Sequence, residues 1–164
     1  MTILLKNKHS LIIDDFIFKC CVGKKGVTAK KKEGDYKTPK GTFRIEHLYF
    51  RKDKIKKPQT KLKCIEIKKN MGWSNDVNYP KKYNKLINTK ENCRHEKLKR
   101  NDCKYDLLIP IKYNYNQPVS GKGSCIFIHL TKDYKPTAGC IAMKRKDYLI
   151  MLKLINKKSK IKII

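Results

Sequence analysis

The chain has 164 residues, 40% of them hydrophobic, and 41 basic against 14 acidic side chains give it a formal charge of +27. That length suits a single domain over residues 1–164, and no apolar run approaches the roughly 20 residues that a bilayer crossing needs, so stable membrane insertion is not expected. The charge favours polyanions, but only five of the basic residues are Arg, and bidentate recognition of bases and phosphates leans on the guanidinium. With no recognition helix and no stacking aromatic motif either, a nucleic-acid partner is not expected.

In chain order, Ile3 to Leu5 and Leu11 to Val22 read as an opening hairpin around a polar turn at Lys6 to Ser10. Gly23 to Gly41 is a glycine-punctuated loop. Thr42 to Phe50 resumes strand-like alternation, with Phe43, Ile45 and His47 on one side, and a further strand is expected at Leu62 to Ile67. From Lys68 to Lys104 the pattern fades into Asn, Lys and Tyr, which predicts a long irregular excursion with a helical turn or two. Short apolar runs at Tyr105 to Tyr113, Ser124 to Leu130 and Ile141 to Met143 predict strands. Asp147 to Asn156 carries the one helical period, which places Leu149, Ile150, Leu152 and Leu154 so that several of them fall on one face. Lys160 to Ile164 closes the chain as a strand. The sum is a mostly β domain of mixed sheets with one clear helix near the C-terminus.

The densest chemistry lies in Gly121-Lys122-Gly123-Ser124-Cys125-Ile126-Phe127-Ile128-His129, followed by Thr137-Ala138-Gly139-Cys140. A thiol is nucleophilic as its thiolate and needs a neighbour that takes the proton, a task that imidazole performs near neutral pH. Cys140 is therefore the candidate nucleophile and His129 its base, although from the residues alone a Cys and a His at this separation read more simply as a buried thiol and a satisfied core histidine. Gly139 leaves room for a carbonyl to approach backbone N–H groups as its oxygen turns negative, so the amides of Gly139 and Cys140 are the expected oxyanion donors. Thr137 can hydrogen-bond the local backbone. Gly123, Ser124, Thr137 and Trp73 are the candidate substrate-binding residues around this pair. A lone Trp is commonly a packing anchor, yet one on a long loop can floor a groove.

Further segments run in order with this block: Gly23-Lys24-Lys25-Gly26-Val27, Lys32-Glu33-Gly34-Asp35 with Thr38-Pro39-Lys40-Gly41, Trp73, Tyr83-Asn84 and Tyr113-Asn114. Together, over residues 23 to 143, they resemble the L,D-transpeptidase (YkuD-type) catalytic domain, and Thr-Ala-Gly-Cys is similar to one subgroup of it. The resemblance implies an L,D-transpeptidase-like β-sandwich in which Cys140, His129 and Gly139 form the catalytic core. It implies ping-pong acyl transfer on peptidoglycan tetrapeptide stems through a thioester, without metal or organic cofactor. An amine acceptor would give a 3-3 cross-link, and water would give carboxypeptidase activity. Many members carry Ser-His-Gly-Cys with an Arg two residues later; here Ala138 precedes Gly139, and Ala142 stands in the Arg position. A Lys elsewhere or Arg145 is the expected substitute.

Several signals receive quieter readings. Lys32 to Pro39 lacks the Gly-Lys-Thr of a phosphate loop and is expected to wall the site. The spacing of Cys93, His95 and Cys103 matches no standard zinc pattern. Cys20, Cys21, Cys64 and Cys125 read as small core hydrophobes. The stretch Thr2 to Cys21 is broken by Lys6, Lys8, Asp14 and Asp15, so no secretory signal is visible; this points to the cytoplasm, whereas the resemblance implies the cell envelope. Two other functions fit some of these features. A wall-binding protein with weakened chemistry would bind muropeptides without forming a thioester, and a basic nucleic-acid module would show steeply salt-dependent binding. Oligomeric state is not fixed by the sequence.

Overall fold

The computed structural model describes residues 1–164. In chain order the strands are β1 (Thr2–Asn7), β2 (Ser10–Ile13), β3 (Phe16–Lys19), β4 (Val27–Thr28), β5 (Thr38–Pro39), β6 (Gly41–Arg44), β7 (Leu48–Phe50) and β8 (Cys64–Glu66). There follow β9 (Met71–Ser74), β10 (Leu86–Asn88), β11 (His95–Lys97), β12 (Leu107–Pro110), β13 (Phe127–Leu130), β14 (Ile141–Met143), the helix α1 (Arg145–Leu154) and β15 (Lys160–Ile163). Two five-stranded mixed sheets, β3-β2-β1-β15-β6 and β14-β13-β12-β7-β8, carry the architecture. The mostly β expectation holds.

The opening hairpin is a three-stranded meander. Asp14 takes a left-handed φ of 49° and Asp15 follows, so the run from Leu11 to Val22 folds back after Ile13 instead of continuing. Short acidic residues tolerate that conformation and make the turn. Thr42 to Phe50 also divides. β6 pairs with β15 in the first sheet and β7 with β12 in the second, with Glu46 and His47 at the crossover.

The two large sheets enclose one apolar cluster. Alternation delivers Ile3, Leu5, Leu11 and Ile13 from the first sheet, and Leu107, Ile109, Ile128 and Ile141 from the second. These side chains are fully buried, worth about 1.5–3 kcal/mol each as transfer free energy. The helix covers this core with Tyr148, Met151 and Leu152, and Ile155 continues the same stripe. The predicted face is therefore off by one step. Leu149, Ile150 and Leu154 only flank the core, because the i, i+3, i+4, i+7 spacing starts at Tyr148. Tyr148 also donates its hydroxyl to the Ile128 carbonyl at 2.9 Å, which joins the helix to β13.

The predicted irregular excursion holds a single helical turn, closed by the Tyr83 N–H on the Tyr79 carbonyl at 3.2 Å, and also a small antiparallel sheet that the sequence did not predict, β10-β9-β11. Its strands have only three or four residues, too few to leave a hydrophobic period. This sheet covers the outer face of the second large sheet. There Trp73, Tyr49, Leu108, Tyr105 and Phe127 pack as a second cluster, which also contains Cys125 and Cys140.

Candidate active site

β13 and β14 run parallel, with Ile128 opposite Ile141 and His129 opposite Ala142. Parallel neighbours cannot be joined by a tight hairpin, so residues 131–140 form a crossover loop that returns to the sheet at Cys140. Period-two alternation then sends Ile128 and Ile141 into the main core, and Phe127, His129, Cys140 and Ala142 to the opposite face. On that face His129 and Cys140 line one cavity of about 990 Å³, together with Ser124, Thr137, Gly139 and Ala142.

His129 is 6% exposed. Its Nδ1 lies 2.8 Å from the Leu130 carbonyl oxygen. A carbonyl only accepts, so Nδ1 carries the proton and Nε2 is left as the basic nitrogen. Burial depresses the imidazole to about 4, so the ring is neutral at neutral pH. The edge of the Tyr105 ring stands against it with centroids 5.4 Å apart, and Tyr105 donates its hydroxyl to Glu96. Burial pushes the Glu96 carboxyl up.

Cys140 is 8% exposed. Its thiol donates to the Cys125 carbonyl at 3.1 Å, and its sulfur accepts the Phe127 N–H at 3.4 Å. Burial first, and the Glu96 carboxylate second, push the thiol up to about 12. Burial thus favours the neutral thiol and the neutral imidazole, and the thiol bonds the Cys125 carbonyl, with no hydrogen bond to His129.

Gly139 has φ of +148°, and a Cβ there would stand 2.9 Å from the Lys37 carbonyl oxygen and 3.3 Å from Ile126. Both facts require glycine. Its own amide donates to Thr137 Oγ1 at 3.1 Å. The expectation that the Gly139 amide serves as an oxyanion donor is therefore corrected, because that N–H is already spent. The Cys140 amide, by contrast, makes no hydrogen bond within the chain. Thr137 also donates its hydroxyl to the Cys140 carbonyl at 2.6 Å, so it shapes the turn as well as facing the cavity.

The remaining candidates separate. Ser124 lines the cavity and donates to Glu33 at 2.6 Å. Gly123 lies behind the wall, its N–H bound to the Tyr83 hydroxyl at 3.0 Å. Trp73 is 2% exposed and does not reach the cavity. Its indole N–H donates to Asn84 at 2.9 Å, and its ring packs edge-on against Phe127. The reading of Trp73 as a substrate floor thus gives way to the packing anchor. Arg145 opens α1 outside the cavity and does not replace the missing Arg.

Two motif residues to which the sequence assigns no role position the site. Thr38, fully buried, accepts the Gly23 N–H at 2.9 Å and donates to the Gly139 carbonyl at 2.8 Å, tying the 23–41 loop to the turn before Cys140. Asn84 accepts from Trp73 and from the Cys125 amide at 3.1 Å, and it donates to the carbonyls of Tyr113 and Asn114. It thereby holds the Cys125 peptide that receives the Cys140 thiol. A buried amide with every donor and acceptor used can only be identified once these partners are in place. On the rim, the Arg94 guanidinium bonds Asn75 and makes no ion pair, while the Arg94 backbone N–H donates to Asp76 at 2.9 Å; Arg100 is committed to Asp102 at 2.9 and 2.6 Å.

No helix is long and apolar enough to cross a membrane. The family model of the YkuD L,D-transpeptidase catalytic domain matches residues 2–163. Comparison with curated proteins and with solved structures finds no match.

Proposed function

Because the chain belongs to the L,D-transpeptidase (YkuD) catalytic domain family, we propose that it transfers acyl groups from peptidoglycan peptide stems through a thioester on Cys140. The observation that carries this reading is the shared face of β13 and β14, where a thiol and an imidazole with a free Nε2 open on one cavity. Cys140 attacks the carbonyl of the third stem residue. Its proton passes to His129 Nε2 and on to the departing amine, so the C–S bond forms as the C–N bond breaks and D-alanine leaves. With the thiol near 12 and the imidazole near 4, proton transfer accompanies attack instead of preceding it. The free Cys140 amide is the first donor to the developing oxyanion. An acceptor amine, or water, then resolves the thioester and takes the same route in reverse.

The cavity has cations where a stem presents carboxylates. Arg94, whose guanidinium makes no ion pair, is the residue best suited to the contact that an Arg after Cys140 makes elsewhere in the family. Stems lie in the cell envelope, and that is where this activity belongs. The test is to incubate a disaccharide tetrapeptide with the protein and with Cys140→Ala, and to measure free D-alanine and the muropeptide products. Release by the wild type alone, with cross-linked or tripeptide product, supports the reading. Muropeptide binding without release would leave only a wall-binding protein.

A further inference from the structure

We propose that Lys31 is the fixed cation of this site, its buried ammonium stabilising the negative charge that develops on the Cys140 sulfur. The proposal rests on Cys140 being the nucleophile. Lys31 is the one lysine among the buried residues, and its side chain is only 3% exposed. A buried ammonium is costly to desolvate, even when paired, so its retention beside a cavity calls for a task. Lys31 borders the same cavity as Cys140.

The side chain is held along its whole length. A Cβ on Gly123 would stand 2.7 Å from Lys31 Cγ, and one on Gly139 would stand 3.7 Å from Lys31 Cε. The aliphatic stem therefore runs between the two glycines that flank the site and brings the ammonium toward the residue before Cys140. Nζ donates to the Lys32 carbonyl at 2.7 Å and to Asp35 Oδ1 at 2.5 Å. An ammonium has three protons, so one remains uncommitted.

Asp35 is fixed in turn by the amides of Lys32 at 2.8 Å and Lys37 at 2.9 Å. Burial acts to raise its carboxyl, but the Lys31 and backbone hydrogen bonds outweigh that and keep it below the ordinary carboxylate range. The charge of Lys31 also opposes the rise that burial imposes on the Cys140 thiol. The loop that the sequence marks only as a wall thus holds a rigid positive charge beside the turn that carries Cys140.

Iodoacetamide alkylation of Cys140, followed by peptide mapping at pH 8, reads this directly. Far below a pKa near 12, the rate is proportional to the thiolate fraction. Lys31→Met is expected to slow alkylation about three- to tenfold, and Lys31→Arg to restore most of the rate. Asp35→Asn removes the opposing charge and is expected to raise the rate, a change of sign that loosened packing would not produce in step with the Lys31 variants. Equal rates in wild type and a folded Lys31→Met overturn the proposal. If Lys31→Met does not fold, an unchanged or lower rate in Asp35→Asn overturns it. Alkylation requires no acyl transfer, so the absence of D-alanine release with this pattern intact would sink the proposed activity and leave the role of Lys31 standing.

Discussion

The two apolar clusters on either side of the second large sheet are built differently. The inner one joins 26 buried residues from both large sheets and the helix. It contains aliphatic side chains above all, delivered by strict alternation along β1, β2, β12 and β15. The outer one has nine, dominated by Trp73, Tyr49, Tyr105 and Phe127, with two cysteines among them. Only the small β10-β9-β11 sheet covers it, and it opens on the cavity. The inner cluster supplies stability, and the outer one aims two side chains. β13 belongs to both, because each successive residue serves the opposite face.

The difference can be broken by substitution, and the largest effect is expected in the outer region. His129→Ala should lower the rate of thioester formation about 10²–10⁴-fold, the range for a lost general base, with the fold retained by circular dichroism. A rate within tenfold of wild type would deny His129 its role. In the inner region, Leu5→Ala should destabilise by about 2–5 kcal/mol in urea denaturation, with the rate per folded molecule unchanged. If thioester formation fell in proportion to the lost stability below the unfolding transition, the two clusters would not be separable.

A pH series sharpens the contrast further. In the folded chain burial depresses His129 from 6.5 to about 4. Between those values the unfolded chain binds more protons than the folded one, so stability contributed by this site rises with pH from about 4 to 6.5 and is flat above. At pH 4.5 the wild type should carry a penalty of about 2–3 kcal/mol from this residue relative to pH 7, and His129→Ala should not. Denaturation curves of both proteins at the two pH values decide it; equal pH dependence would contradict the buried neutral imidazole. The smallest effect is expected from Trp73→Phe, which loses one hydrogen bond to Asn84 and some ring contact. It should cost about 1–2 kcal/mol and leave thioester formation within a few-fold of wild type. A collapse of the rate would return Trp73 to the substrate groove.

How far the sequence could be read follows the same division. β14 was legible to the residue, and the strand that carries His129 and the last strand of the chain were legible within a few positions, because buried runs leave an apolar signature. Cys140, His129 and Gly139 were singled out through their motif, and the structure brings the three to one cavity. The small outer sheet was not, since strands of three or four residues are too short to show a period. The face of α1 was misassigned because Leu149, Ile150 and Leu154 are as apolar as the residues that face inward. Thr38, Asn84 and Lys31 escaped because their roles reside in partners distant along the chain, such as Gly139 for Thr38.

The sulfur of Cys140 either carries the acyl group or does not. Acid quenching during turnover of a disaccharide tetrapeptide, then peptic digestion and mass spectrometry, locates any trapped thioester among the seven cysteines. The account predicts the tripeptide acyl mass on the Cys140 peptide alone. Acyl mass on another residue, or D-alanine release undiminished in Cys140→Ala, would contradict it.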